Sequence, residues 1–189
     1  MNLFLDTEFT GLHQHTSLIS LALVAEDEQA FYAEFTDYDR GGIDTWLADN
    51  VIARTRWLAK DNPTEGHWQE TKLSLYCGPR QGVIEPLKHW LGQWKHIEVW
   101  ADCPAWDWIL FCELFGGAFS LPQHIYYLPF DLVTLFKLKG MTPDTDPAAF
   151  AGITPQIIEQ EKHNALFDAR AVRTAWLKLQ TNAEPHETD

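Results

Sequence analysis

The sequence predicts an α/β fold in which α-helices flank a mixed central β-sheet. Two observations predict it. Three apolar runs rich in strand formers follow one another inside the first 35 residues, at 3–9, 18–24 and 30–35. Beyond about residue 79, amphipathic helical stretches alternate with short apolar strands. A meander followed by alternating helices and strands is the pattern of a sheet that buries its faces under helices.

The elements follow in order. Leu3 to Phe9 alternates and carries large apolar residues, as a buried strand does. Leu18 to Val24 is the second strand, and the acidic turn Glu26-Asp27-Glu28 leads into the third, Ala30 to Phe35. From Ile43 to about Leu75 the pattern is helical but broken, with Asn62-Pro63 and Gly66 as interruptions. A long helix is expected after Pro79, running to Lys95, followed by a short strand at Ile97-Glu98-Val99-Trp100. Pro104 opens the next helix, Ala105 to Phe115, and Gly116-Gly117 ends it. Ile125 to Leu128 is a further strand candidate and Phe130 to Leu138 a helix. The stretch Met141 to Gly152, with two prolines and two aspartates, is expected to be a loop. Thr154-Pro155 supplies a cap and a proline at the first helical position. The last helix, from Asn164 to Gln180, shows an apolar stripe at Ala165, Ala169, Val172, Trp176 and Leu179. Residues 1–181 are expected to form a single domain, and the polar stretch 182–189 a disordered tail.

Composition narrows the function. Lys and Arg total 14 against 27 Asp and Glu, a net charge of −13. That is the reverse of the basic footprint of a protein that grips long nucleic acid along its backbone. A phosphodiester substrate would have to be short or held end-on, with bound cations reversing the sign locally. The cysteines, Cys77, Cys103 and Cys112, are odd in number and form no CxxC pair, which excludes a disulfide framework and predicts a reducing, cytoplasmic setting. The opening Met1–Asp6 does not read as a secretion signal, and no apolar run approaches 18 residues, so no membrane span is expected.

Three sets of residues carry chemistry. Asp6 and Glu8 stand two apart on a strand, so both carboxylates project from one face and repel each other. Such a pair calls for a nearby cation, and hard divalent ions take oxygen ligands. Asp107 shares a helix face with Leu110, Phe111 and Leu114, a carboxylate set on an apolar stripe. Asp102 competes for the same role but falls in the strand-to-helix loop. Asp168, one turn before Val172, also borders an apolar stripe. His163 lies five residues before it, about 140° away on a continuous helix, so the two converge only if His163 sits in the loop, with Asn164 as a cap. Four inward carboxylates and one histidine suit phosphodiester hydrolysis. Two divalent ions neutralise the phosphate and stabilise the leaving oxygen, and a histidine near neutral pKa accepts a proton from the attacking water. Trp68, Trp90 and Trp94 offer flat faces, but the helical spacing of the last two marks them as core, and Asp131 reads as a first-turn helix acid.

Leu5-Asp6-Thr7-Glu8-Phe9-Thr10-Gly11-Leu12, Ala105-Trp106-Asp107 and His163-Asn164-Ala165-Leu166-Phe167-Asp168-Ala169 resemble the three motifs of the DEDDh 3′–5′ exonuclease family. Within that family the chain is most similar to the small stand-alone bacterial 3′–5′ exoribonucleases. The resemblance implies a ribonuclease H-like fold, hydrolysis from the 3′ end of single-stranded nucleic acid with RNA favoured, two Mg²⁺ or Mn²⁺ ions, and a homodimer. It implies that Asp6, Glu8, Asp107 and Asp168 hold the metals and that His163 is the general base. Thr10, Gly11, Leu12 and Trp106 would line the terminal nucleotide. One departure stands out: Asp102, Cys103 and Pro104 occupy the place where the family commonly has an Asn before its middle aspartate. The same residues would serve a DNA-directed exonuclease or a non-catalytic nucleotide-binding or dimerisation module.

Overall fold

The computed structural model describes residues 1–60 and 63–181. β1 (Asn2–Phe9), β2 (Leu18–Ala25) and β3 (Ala30–Phe35) form the expected antiparallel meander. Every residue of β2 and β3 is buried, which explains their mainly apolar character, with Ser20 and Glu34 the polar exceptions.

The next stretch departs from expectation. Among the described residues of this stretch, only α1 (Thr45–Asn50), capped by Asp44 through the Leu47 N–H, and a 3-10 turn at Ile52–Arg54 are helical. The chain then makes two strands, β4 (Gly66–Gln69) and β5 (Leu73–Gly78), paired antiparallel. β5 runs parallel to β3, so the segment read as a broken helix extends the sheet. The Asn62-Pro63 interruption lies partly outside the described residues, since Asn62 is not among them.

α2 (Arg80–Leu91) ends at Leu91, four residues short of the expected Lys95, with Gly92 as its cap. β6 (Glu98–Ala101) adds parallel to β1 and leads into α3 (Ala105–Leu114). At Ile125 only an isolated bridge to Ile97 forms; the strand itself comes later, as β7 (Phe130–Asp131) beside β6. α4 (Leu132–Leu138) begins after Asp131, whose carboxylate caps the Val133 and Thr134 N–H groups. The expected 141–152 loop contains a short helix, α5 (Pro147–Ala151), capped by Asp146 and closed by Gly152 at φ +93. α6 (Pro155–Glu161) has the expected proline at its start, although Thr154 makes no side-chain cap bond. α7 (Ala165–Thr181) completes the described chain. The tail expected at 182–189 lies outside the described residues.

The sheet order is β4-β5-β3-β2-β1-β6-β7, which places β1 inside the sheet between β2 and β6. Alternation along β1 divides its side chains between two layers. Leu3 and Leu5 pack with Val83 and Leu87 of α2 and Phe111 and Leu114 of α3. Phe4 packs on the other face with Leu132, Phe136, Val172 and Leu179 of α4 and α7. Each of these fully buried side chains contributes roughly 1.5–3 kcal/mol through its apolar area. Arg173 ties α7 to the end of β2, its Nε donating to the Ala25 and Glu26 carbonyls at 3.1 and 3.0 Å. The packing that orients α7 therefore also sets what its first turn presents to the end of β1. Among the described residues, no helix is long and apolar enough to cross a membrane.

Candidate active site

The apolar alternation of β1 runs out at Asp6, and its last residues carry polar chemistry into both layers. Asp6 and Glu8 continue the Phe4 face, toward α7, while Thr7 continues the Leu5 face, toward α3. The β1–β2 register shifts between Glu8 and Phe9, an irregularity of the kind that re-aims side chains beside active sites. On α7, Asp168 occupies the first turn below Ala165 and Ala169, which are fully buried. One carboxylate oxygen from each of Asp6, Glu8 and Asp168 lies within 4.8 Å of the others.

Asp107 reaches this place by a different route. It stands in the first turn of α3, in the opposite layer, and does not join that group of three. Its Oδ1 accepts two hydrogen bonds from one residue, at 2.9 Å from the Thr7 N–H and 2.6 Å from the Thr7 Oγ1–H. The carboxylate is 8% exposed and lines the same cleft. The DxE pair thus has a working residue at its centre: Thr7 holds the third acid from the far side of the strand. Strict strand alternation was the signal that could have found it.

His163 sits before α7 in a left-handed conformation, φ +67, and donates its backbone N–H to Asp168 Oδ2 at 2.8 Å. This break from helical geometry brings the two residues together. Asn164 makes the cap, its Oδ1 accepting from the Phe167 N–H at 3.2 Å. The imidazole is half-buried and meets the edge of the exposed Trp46 ring, with centroids 5.0 Å apart.

The cleft has a volume of about 770 Å³ and contains Gly11, Leu12, Trp46, Trp106 and Asp102 in addition to these residues. Its acids are Asp6, Glu8, Asp102, Asp107, Asp144, Asp146 and Asp168, seven against the single cation Lys162, which is itself paired with Asp146 at 3.0 Å. Electrostatics follow from this crowding. Burial, then Asp168, Asp107 and Glu8, hold Asp6 well above the usual carboxylate range. Burial and the neighbouring Asp168 and Asp107 push Glu8 up to about 8, against a pull from Arg54. Burial raises Asp168 to about 7, opposed by the His163 N–H, and Asp107 to about 6, opposed by Thr7. Asp102, in the β6–α3 loop, is raised to about 6 by burial. Burial, helped by Lys162 and Arg54, lowers the His163 pKa and so favours the neutral ring. Clustered, partly buried oxygen donors that repel one another fit a hard divalent cation.

Gly11 and Leu12 line the cleft, Leu12 being 73% exposed, and Trp106 forms part of its wall. Thr10 does not. It is 5% exposed, and its Oγ1 accepts from the Ser17 N–H at 2.9 Å, so it shapes the loop rather than the cleft surface. Trp90 and Trp94 pack edge-on in the core as expected, and Trp68 stacks on Trp57 at 5.0 Å. The three cysteines are free.

A DxE pair, a helix aspartate and an H-x4-D motif gathered at one cleft of a mixed sheet define a class, the DEDDh 3′–5′ exonucleases of ribonuclease H-like fold. The family model described as the 3′–5′ exoribonuclease Rv2179c-like domain matches residues 1–180, and the chain belongs to that family. It is 27% identical over 172 residues to the 3′–5′ exoribonuclease Rv2179c of Mycobacterium tuberculosis strain H37Rv, covering 90% of this chain and 88% of the relative. The same figures hold for the 3′–5′ exoribonuclease MT2234.1 of strain CDC 1551. Among solved structures, the zinc-bound form of the E. coli ExoI–ssDNA complex shares the fold, with a TM-score of 0.56 at 16% identity. That alignment covers 98% of this chain but only 41% of the ExoI chain. Membership makes this chain a 3′–5′ exonuclease.

Proposed function

We propose that the chain is a divalent-metal-dependent 3′–5′ exoribonuclease that removes nucleotides from the 3′ ends of single-stranded RNA and short oligonucleotides, acting as one domain over residues 1–181. The observation that carries this reading is the group of Asp6, Glu8 and Asp168 oxygens within 4.8 Å, with His163 hydrogen-bonded to the last of them. The family description and the mycobacterial relatives' names support RNA as the substrate.

In this reading Asp6, Glu8 and Asp168 are the main ligands of two Mg²⁺ or Mn²⁺ ions, and Asp107 contributes from the opposite layer. When bound, such ions neutralise the charge developing on the phosphate and stabilise the leaving 3′ oxygen. The protein's own groups do the rest. His163, whose neutral form is favoured by burial and by Lys162, accepts the proton of the attacking water. Thr7 fixes the rotamer of Asp107 through two hydrogen bonds. Gly11, Leu12 and Trp106 contact the terminal nucleotide, with Trp46 beside His163 as a further flat surface. A homodimer working in the cytoplasm completes the proposal, and light scattering of the purified protein tests the first part.

The substrate is tested with 5′-labelled single strands of matched sequence, one RNA and one DNA, digested in parallel with Mg²⁺ or Mn²⁺. The expected result is faster shortening of the RNA. Faster shortening of the DNA would reassign the substrate.

A further inference from the structure

The left-handed turn at His163 needs something to hold it, because a non-glycine residue at φ +67 is unfavourable by roughly 1 kcal/mol or more unless its surroundings impose it. Arg54, at the end of the 3-10 turn after α1, meets the chain on both sides of that residue. Its guanidinium donates from one terminal nitrogen to the Lys162 carbonyl and from the other to the Glu159 carbonyl at 3.1 Å. Its own carbonyl accepts from Asn164 Nδ2 at 2.9 Å. The residues immediately before and after His163 are therefore both bonded to Arg54, across more than a hundred positions of sequence.

Arg54 is itself firmly placed. Glu34 on β3 is fully buried, and its carboxylate accepts from the Arg56, Trp57 and Leu58 N–H groups as well as from the Tyr32 hydroxyl. That anchor fixes the segment directly following Arg54 to the sheet. The path runs from a rigid strand, through a buried carboxylate, to the loop that presents the imidazole.

We propose that Arg54 is a positioning residue for His163, clamping its loop from both sides so that the imidazole faces the acid cluster. The plainer role of the same contacts is to cap the exposed carbonyls at the C-terminus of α6. A cap alone accounts for the bonds to Glu159 and Lys162. It does not account for the bond from Asn164, which lies beyond α6 and caps α7 instead. With both terminal nitrogens engaged by carbonyls, the guanidinium is also committed to the protein rather than to a phosphate.

The inference rests on His163 being the proton acceptor, and a double-mutant cycle separates the two ideas. Arg54→Met keeps the aliphatic stem and removes the donors; Arg54→Lys keeps the charge. RNA degradation, with kcat and KM determined separately, is measured for each in the wild-type and His163→Ala backgrounds, beside thermal midpoints and the ¹⁵N-resolved signal of the His163 amide. Arg54→Met is expected to lower kcat by up to about 100-fold, as small misplacements of catalytic groups do, with KM within about two-fold of wild type. Arg54→Lys recovers part of the loss, and the His163 amide signal moves in the Met variant. In the His163→Ala background, Arg54→Met has almost no further effect. Losses that multiply, a raised KM with unchanged kcat, or an unmoved amide signal would overturn the positioning role. If Arg54→Met does not fold, the Lys variant runs the same cycle. Wild-type activity in His163→Ala alone would instead overturn the assignment of the base.

Discussion

Asp107 shows how much one neighbour decides at the scale of single residues. It comes from the layer opposite Asp6 and Glu8, and only Thr7, pointing the same way, bonds it among the described residues. Thr7→Val keeps the shape and removes the hydroxyl. It should destabilise the fold by about 2 kcal/mol, as for a lost bond to a charged group, and lower kcat on the order of ten-fold through a loosened Asp107. Thr7→Ser should restore most of both, and a Val variant with wild-type rates would remove Thr7 from the account. A second prediction concerns pH. In the folded protein the carboxyls of Glu8, Asp168 and Asp107 hold their protons up to about 8, 7 and 6, above the ordinary range near 4. Between those limits the native state binds more protons than the unfolded chain, so stability falls as pH rises. The stability is fully present below about pH 4, falls steadily as pH rises above that, and is gone by about pH 8. Between pH 6 and 8, where first Asp168 and then Glu8 give up their protons, metal-free protein should lose on the order of 3 kcal/mol, about 6–12 °C in Tm for a chain of this size. Calorimetry at several pH values checks this, and Asp168→Asn should flatten the curve.

At the scale of elements, the site is assembled by three short pieces: the end of β1, the first turn of α3 and the first turn of α7. Glu34 shows what holds the surrounding loops. Its replacement by Ala would leave three N–H groups without their acceptor, and the two that are buried, of Trp57 and Leu58, cost about 1–3 kcal/mol each. A loss of at least about 2 kcal/mol in denaturant unfolding is expected, and a change under 1 kcal/mol would contradict the anchoring role. The elements legible in the sequence were those with long apolar signals: the meander of β1 to β3 and the helices α2, α3 and α7. What was missed lacked such a signal. β4 is four residues of half-exposed edge strand, His67-Trp68-Gln69 after a glycine, and β5 mixes Ser and Cys into its buried face. α5 is five residues long, too short for any periodicity, although Asp146-Pro147 and Gly152 marked its two ends. In the site, the motif acids and His163 were legible because charge on an apolar stripe is conspicuous. Arg54 and Trp46 were not, because they reach the site through tertiary contacts that no local pattern encodes.

For the whole molecule, the net charge of −13 and the seven acids of the cleft point one way. An RNA phosphate meets repulsion almost everywhere except where cations can gather. Divalent ions should therefore raise the Tm of the wild-type protein and leave an Asp6→Asn variant nearly unmoved. The acid cluster, rather than any basic surface, is the central claim as the nuclease centre. The most direct test follows a 5′-labelled single-stranded RNA during digestion by wild-type and Asp6→Asn protein, with and without Mg²⁺ or Mn²⁺. The account predicts a ladder that shortens one nucleotide at a time from the 3′ end, only with wild-type protein and only with the ion. Equal shortening by the variant, or shortening in the presence of excess chelator, would contradict it.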